Sequence, residues 1–134
     1  MNDTIFLDTN VLIYALDSGS TKGTKALQIL DDASGLVIST QVIGEFITAT
    51  TRKGVLSFET ASTWARDFMN SLQTVVIDIN CIEAAVLLKW KYGYAYYDSL
   101  IIATALQTGC THLYPEDMHH GQIIDTLTII NLFI

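Results

Sequence analysis

Proline occurs once in this 134-residue chain, cysteine twice, and Lys and Arg together only seven times. A single proline excludes a collagen-like chain or a proline-rich linker array. The two cysteines, Cys81 and Cys110, lack metal-ligand spacing and sit inside apolar segments, so they read as buried free thiols in a reducing compartment. Cations are scarcest toward the C-terminus, where no Lys or Arg follows Lys91. A net charge of −7 argues against a protein that coats duplex DNA with a basic face. No apolar run reaches the roughly 18 residues of a membrane span. Met1-Asn2-Asp3 carries no basic n-region and no apolar stretch before a cleavage site. No secretory signal and no membrane contact are therefore expected, and the location reads as cytoplasmic.

What is present is apolar and orderly. Half the residues are hydrophobic and 16% are charged. Residues 1–134 read as one domain, long enough to bury a core. Short apolar runs predict strands at Thr4–Leu7, Leu36–Ile38, Thr74–Ile77, His112–Tyr114 and Leu127–Ile130. Between them lie helical patterns. One starts at Val11 with Asn10 as N-cap, and others cover Lys25–Ala33 and Gln41–Lys53 with Gly54 as stop. Ser57 caps a helix running to about Asn70, Asn80 and Glu83 form a capping box for Ile82–Tyr92, and Gly93 stops it. The stretch Asp98–Thr108 is apolar nearly all round, which predicts a buried helix. This alternation predicts an α/β fold of three layers, α/β/α, around a central mainly parallel sheet. Ligands of such folds bind beyond the carboxyl ends of the strands.

Acidic residues stand at those places. Asp8 directly follows the first strand, and Glu116 and Asp117 follow the strand His112–Tyr114. Glu45 lies in the helix after the second strand, and Asp98 opens the buried helix. Singly each has an ordinary reading: Asp8 and Asp98 as helix starts, Glu45 as a helix glutamate, Glu116-Asp117 as a turn after Pro115. Together they read as a cluster, because strand-end loops of a parallel sheet share one edge. Two carboxylates ~4 Å apart repel by about 4 kcal/mol at an effective dielectric of 20. Arg52, Lys53 and Arg66 are distant in sequence from these segments. A cation removes the repulsion, and an all-oxygen donor set selects Mg²⁺ or Mn²⁺ over zinc.

The segments Phe6-Leu7-Asp8-Thr9-Asn10-Val11-Leu12, Ser39-Thr40-Gln41-Val42 with Glu45, Tyr97-Asp98-Ser99-Leu100-Ile101-Ile102-Ala103-Thr104-Ala105 and Leu113-Tyr114-Pro115-Glu116-Asp117-Met118 resemble the four acidic motifs of PIN domains, and most of all those of VapC-type toxins of toxin–antitoxin pairs. The resemblance runs from Ile5 to near Ile130. It implies a PIN-like fold and a Mg²⁺- or Mn²⁺-dependent endoribonuclease that hydrolyses RNA with activated water, leaving a 5′-phosphate and a 3′-hydroxyl. Asp8, Glu45, Asp98 and Asp117 are the catalytic, metal-holding positions it implies. Thr9 and Asn10 are implied to orient Asp8, and Glu116 stands beside Asp117 as its supporting neighbour or its competitor. It also implies an RNA substrate, a cognate antitoxin and a homodimer. One position departs from the pattern: Pro115 replaces the Thr or Ser that usually stands two residues before the fourth acid.

Lys22, Lys25, Arg52 and Lys53 are candidates for local contact with RNA. The run Tyr92–Tyr97 leads straight to Asp98 and reads as cleft lining or subunit contact, and His119 and His120 read as a solvated loop. A non-catalytic PIN-like module that binds RNA or protein is the alternative. A phosphoryl-transfer domain fails on residue type. Asp8-Thr9-Asn10 lacks the second Asp of a haloacid-dehalogenase site, and a receiver domain's late Lys is missing.

Overall fold

The computed structural model describes residues 3–32 and 34–133. The expected helix end at Ala33 and the reading of Met1 and Asn2 fall outside them. Six strands form one sheet in the order β3-β2-β1-β4-β6-β5. They are β1 (Ile5–Leu7), β2 (Leu36–Ser39), β3 (Gln73–Val75), β4 (His112–Tyr114), β5 (Ile123–Ile124) and β6 (Leu127–Ile129). All neighbours are parallel except β5 and β6. The helices are α1 (Thr9–Tyr14), α2 (Thr21–Asp31), α3 (Thr40–Arg52), α4 (Phe58–Ser71), α5 (Ile79–Tyr92) and α6 (Tyr96–Gln107). A mainly parallel sheet flanked by helices is the α/β/α arrangement that the strand and helix patterns predict. Among the described residues, no helix is long and apolar enough to cross a membrane.

Burial explains the parallel sheet. Phe6, Leu7, Val37, Ile38 and Leu113 are fully covered, as strands clad on both faces must be. The apolar stripe of α3, with Val42, Ile43 and Phe46, packs into the same core. Seven consecutive residues of α6, Ser99 to Ala105, are buried, and α5 packs on α6 through Cys81, Ala85, Leu100 and Ala103. Both cysteines are free and buried.

Local chemistry corrects several boundaries. Asp8, not Asn10, is the N-cap of α1, and its carboxylate accepts from the Thr9 N–H. Asp78, not Asn80, caps α5 and accepts from the Cys81 N–H at 2.9 Å. In both cases the earlier acid has the extended backbone a cap needs, so the helix begins sooner than its apolar stripe. Helix α6 starts at Tyr96, two residues before Asp98, with no side-chain cap at Ala95. Strand β5 is an addition: two residues joined to β6 by a tight hairpin in which Asp125 has φ +53°. Two residues are too few for any periodicity to reveal. Gly93 ends α5 at φ +78°, a conformation glycine adopts without strain. That turn sends the chain into α6 and sets where Asp98 lies.

Candidate active site

The carboxyl ends of β1, β2 and β4 lie on one edge of the sheet. Register fixes this, with Leu7 opposite Tyr114 and Phe6 opposite Val37. The Asp8 N–H donates to the Tyr114 carbonyl at 3.3 Å, so Asp8 sits beside the end of β4, three residues from Asp117. Ser39, fully buried at the end of β2, caps α3 by accepting from the Val42 N–H at 3.3 Å. That cap sets the start of α3 and so the place of Glu45. Asp98 stands in the first turn of α6.

These elements close around a cavity of about 230 Å³ lined by Asp8, Glu45, Asp98 and Asp117. Thr9, Asn10 and Lys53 also line it, with Ile13, Ile101 and Met118 as its apolar wall. Asp8 is buried, Glu45 and Asp98 are partly covered, and Asp117 is exposed at the mouth. The Thr9 N–H donates to Asp8 Oδ1 at 2.7 Å, and the Thr9 hydroxyl donates to Glu45 Oε1 at 2.8 Å. Thr9 therefore ties two of the acids to one residue of α1. Burial is the main cause that pushes the Asp8 carboxyl up to about 7, against the opposing pull of the Thr9 N–H, and Glu45, Asp98 and Asp117 raise it further. Burial raises Asp98 too, with Asp117 adding to it.

Glu116 is placed elsewhere. It accepts from the Tyr14 hydroxyl and pairs with Lys22 at 3.3 Å, and it does not line the cavity. Adjacent residues of the loop thus face different neighbours, and it is Asp117 that joins Asp8. Asn131, outside every motif, donates from Nδ2 to the Glu116 carbonyl and accepts at Oδ1 from the Phe133 N–H at 2.9 Å. A buried Asn pinning the acidic loop leaves no sequence signal, because a lone Asn near a C-terminus has many uses. Pro115 is buried, where it cannot donate a hydroxyl to the acids.

The expected basic residues separate. Lys53 reaches the cavity and Arg52 lines the groove beside it. Lys22 is held by Glu116, and Lys25 donates to the Leu132 carbonyl at 2.6 Å. His119 and His120 are exposed, and His120 Nδ1 accepts from the Asn131 N–H at 2.9 Å. With Tyr92, Tyr94 and Gln122 they line a larger cavity of about 590 Å³ that holds no carboxylate.

The donor set suits a hard divalent cation. It is all oxygen, it gathers negative charge, and Lys22–Glu116, outside it, is the one ion pair among the described residues. Its spacing is open: among the described residues, no three His, Cys, Asp or Glu side chains are arranged to hold an ion as they stand.

Comparison with known proteins gives the fold a family. The PIN-domain family model matches residues 5–120. Among curated proteins no significant match is found. VapC20 of Mycobacterium tuberculosis, a toxin that cleaves the sarcin–ricin loop, superposes with a TM-score of 0.72 at 18% identity, over 85% of this chain and 90% of its own. A toxin–antitoxin complex from Klebsiella pneumoniae gives 0.71 at 21% identity, over 93% of this chain and 96% of that one. VapBC2 from Rickettsia felis, bound to a DNA fragment from its promoter, gives 0.70 at 18% identity, over 94% and 96%. With the family model matched from β1 to the loop after β4, the chain belongs to the PIN-domain family.

Proposed function

We propose that the protein is a metal-dependent endoribonuclease of the VapC toxin type, hydrolysing RNA phosphodiester bonds at the carboxylate cavity. The carrying observation is the gathering of Asp8, Glu45, Asp98 and Asp117 around one small cavity with no ion pair to any of them among the described residues. Such a cluster destabilises a fold and has a use where positive charge arrives from outside. Asp8, Glu45, Asp98 and Asp117 are the residues that would hold Mg²⁺ or Mn²⁺. Since no three of them stand in ligand geometry, holding an ion takes rotation of the more exposed Asp98 and Asp117, or bridging water. A bound divalent ion supplies charge neutralisation, polarisation of the phosphoryl oxygen and activation of the attacking water.

The protein's own residues prepare that step. The Thr9 N–H holds one oxygen of Asp8, and the Thr9 hydroxyl fixes Glu45. Ile13, Ile101 and Met118 limit water on one side of the cavity. Lys53 brings a cation to its wall, so an anionic RNA meets local positive charge on a chain of net charge −7. Incubating a mixed RNA pool with purified protein in Mg²⁺, Mn²⁺ or chelator tests this reading. Cutting that needs the ion supports it. Folded protein that cuts nothing under any of them moves the reading to a non-catalytic binding module.

The partner reading is an antitoxin and a second copy of the chain. VapBC-type neighbours support the first. An apolar stripe along α5 supports the second: Ile79, Ile82, Val86 and Trp90 recur at helical spacing and are exposed, Trp90 by 86%. Trp90→Asp is expected to shift the protein from dimer to monomer in light scattering at micromolar concentration. An unchanged mass for this variant would move the contact away from α5.

A further inference from the structure

A groove of about 650 Å³ runs along the outer face of α3, lined by Thr40, Gln41, Gly44, Thr48, Arg52 and Tyr97. It shares Glu45 and Ala49 with the carboxylate cavity, so the two are continuous. We propose that this groove seats the nucleotide next to the scissile phosphate of a single-stranded RNA, an assignment that rests on the ribonuclease reading above.

Gly44 lines the floor of the groove. It stands in the middle of a 13-residue helix, where glycine weakens the helix relative to alanine. Its backbone has no positive φ, and a Cβ there would meet nothing within 4 Å. Neither conformation nor packing calls for glycine. What it does provide is a clear floor where a ligand approaches the helix backbone.

The rim supplies the rest. Tyr97 is 62% exposed, and Tyr96 steadies its ring edge-on at 5.2 Å. An exposed, braced ring is a platform on which any base can stack. Arg52 lines the groove with no ion pair among the described residues, and a guanidinium suits a phosphate. Gln41 Nε2 donates to the Tyr97 carbonyl at 3.1 Å, which fixes the amide's orientation. Its Oε1 is the one buried side-chain polar atom among the described residues without a partner. That oxygen is covered by protein, so the amide's part in the groove is to hold the Tyr97 backbone through Nε2. The exposed ring and the guanidinium together favour RNA over a protein segment.

Steady-state cleavage of the RNA that the wild type cuts decides the matter, with Tyr97→Ala, Arg52→Gln and Gly44→Leu compared. Tyr97→Ala and Arg52→Gln are expected to raise KM about 10-fold, the scale of one lost stacking contact, with kcat within about twofold. Gly44→Leu is expected to raise KM while Tm holds or rises, opposite signs that mere damage does not give. A wild type that cuts no RNA defeats the ribonuclease reading itself. A wild type that cuts, with KM unchanged in all three variants, overturns the groove assignment in favour of a protein occupant. A fall in kcat alone overturns it as well.

Discussion

In chelator at pH 8, Asp8→Asn protein is expected to unfold at a higher temperature than the wild type. A carboxyl of ordinary value 3.8 is raised to about 7 in the fold, by burial first and then by three neighbouring acids. The folded state therefore holds this proton more tightly than the unfolded chain. Stability falls as pH rises from about 4 to about 7, and Asp8 contributes no further change outside that window. Each pH unit inside it costs about 1.4 kcal/mol, so the ionised carboxylate costs up to about 4 kcal/mol above pH 7. Asparagine keeps the shape and removes the charge. The gain is several degrees in Tm at pH 8 and vanishes near pH 4. Added Mn²⁺ is expected to raise the wild-type Tm at pH 8 and to raise that of Asp8→Asn much less. Scanning calorimetry at the two pH values checks this, and equal melting at pH 8 would contradict it.

The second large effect is on turnover. Asp98→Asn and Asp117→Asn are each expected to lower kcat/KM on the order of 100-fold or more, the scale of losing one electrostatic group of a reacting site. Glu116→Gln is expected to stay within about twofold, because Glu116 serves Tyr14 and Lys22 instead of the cavity. The neighbouring pair is its own control. Both substitutions fall on the same loop, and only one removes charge from the site. An equal loss at Glu116 and Asp117 would show that the loop matters for its shape, not for its cavity-facing carboxylate. RNA cleavage rates for the three variants, with Tm as a fold check, decide it.

Much of this arrangement is legible in the amino-acid sequence. Strand β1 reads as an apolar run ended by Asp8, and α3 reads from its stripe of Val42, Ile43 and Phe46 with Gly54 behind it. The convergence of Asp8 and Asp117 follows from parallel topology, because neighbouring strand ends share an edge. Other features depend on contacts that no local pattern encodes. The choice between Glu116 and Asp117 is made by Tyr14 and Lys22, 102 and 94 residues away. Asn131 reaches back 15 residues to hold the same loop. The true caps, Asp8 and Asp78, stand two residues before the Asn residues that a cap rule picks, since acid and amide cap about equally well. The groove on α3 is missed for a different reason: its lining is the ordinary polar face of an amphipathic helix, and only the empty space above Gly44 marks it.

The four carboxylates are expected to act together as one cation site. A calorimetric titration of Mn²⁺ into metal-free wild type and Asp8→Asn, at pH 7.5, tests it directly. Saturable binding is expected in the wild type, with its loss or severe weakening in Asp8→Asn, and protons are expected to be released on binding because burial leaves Asp8 partly protonated at that pH. Equal binding by both proteins, or none by a folded wild type, would contradict it.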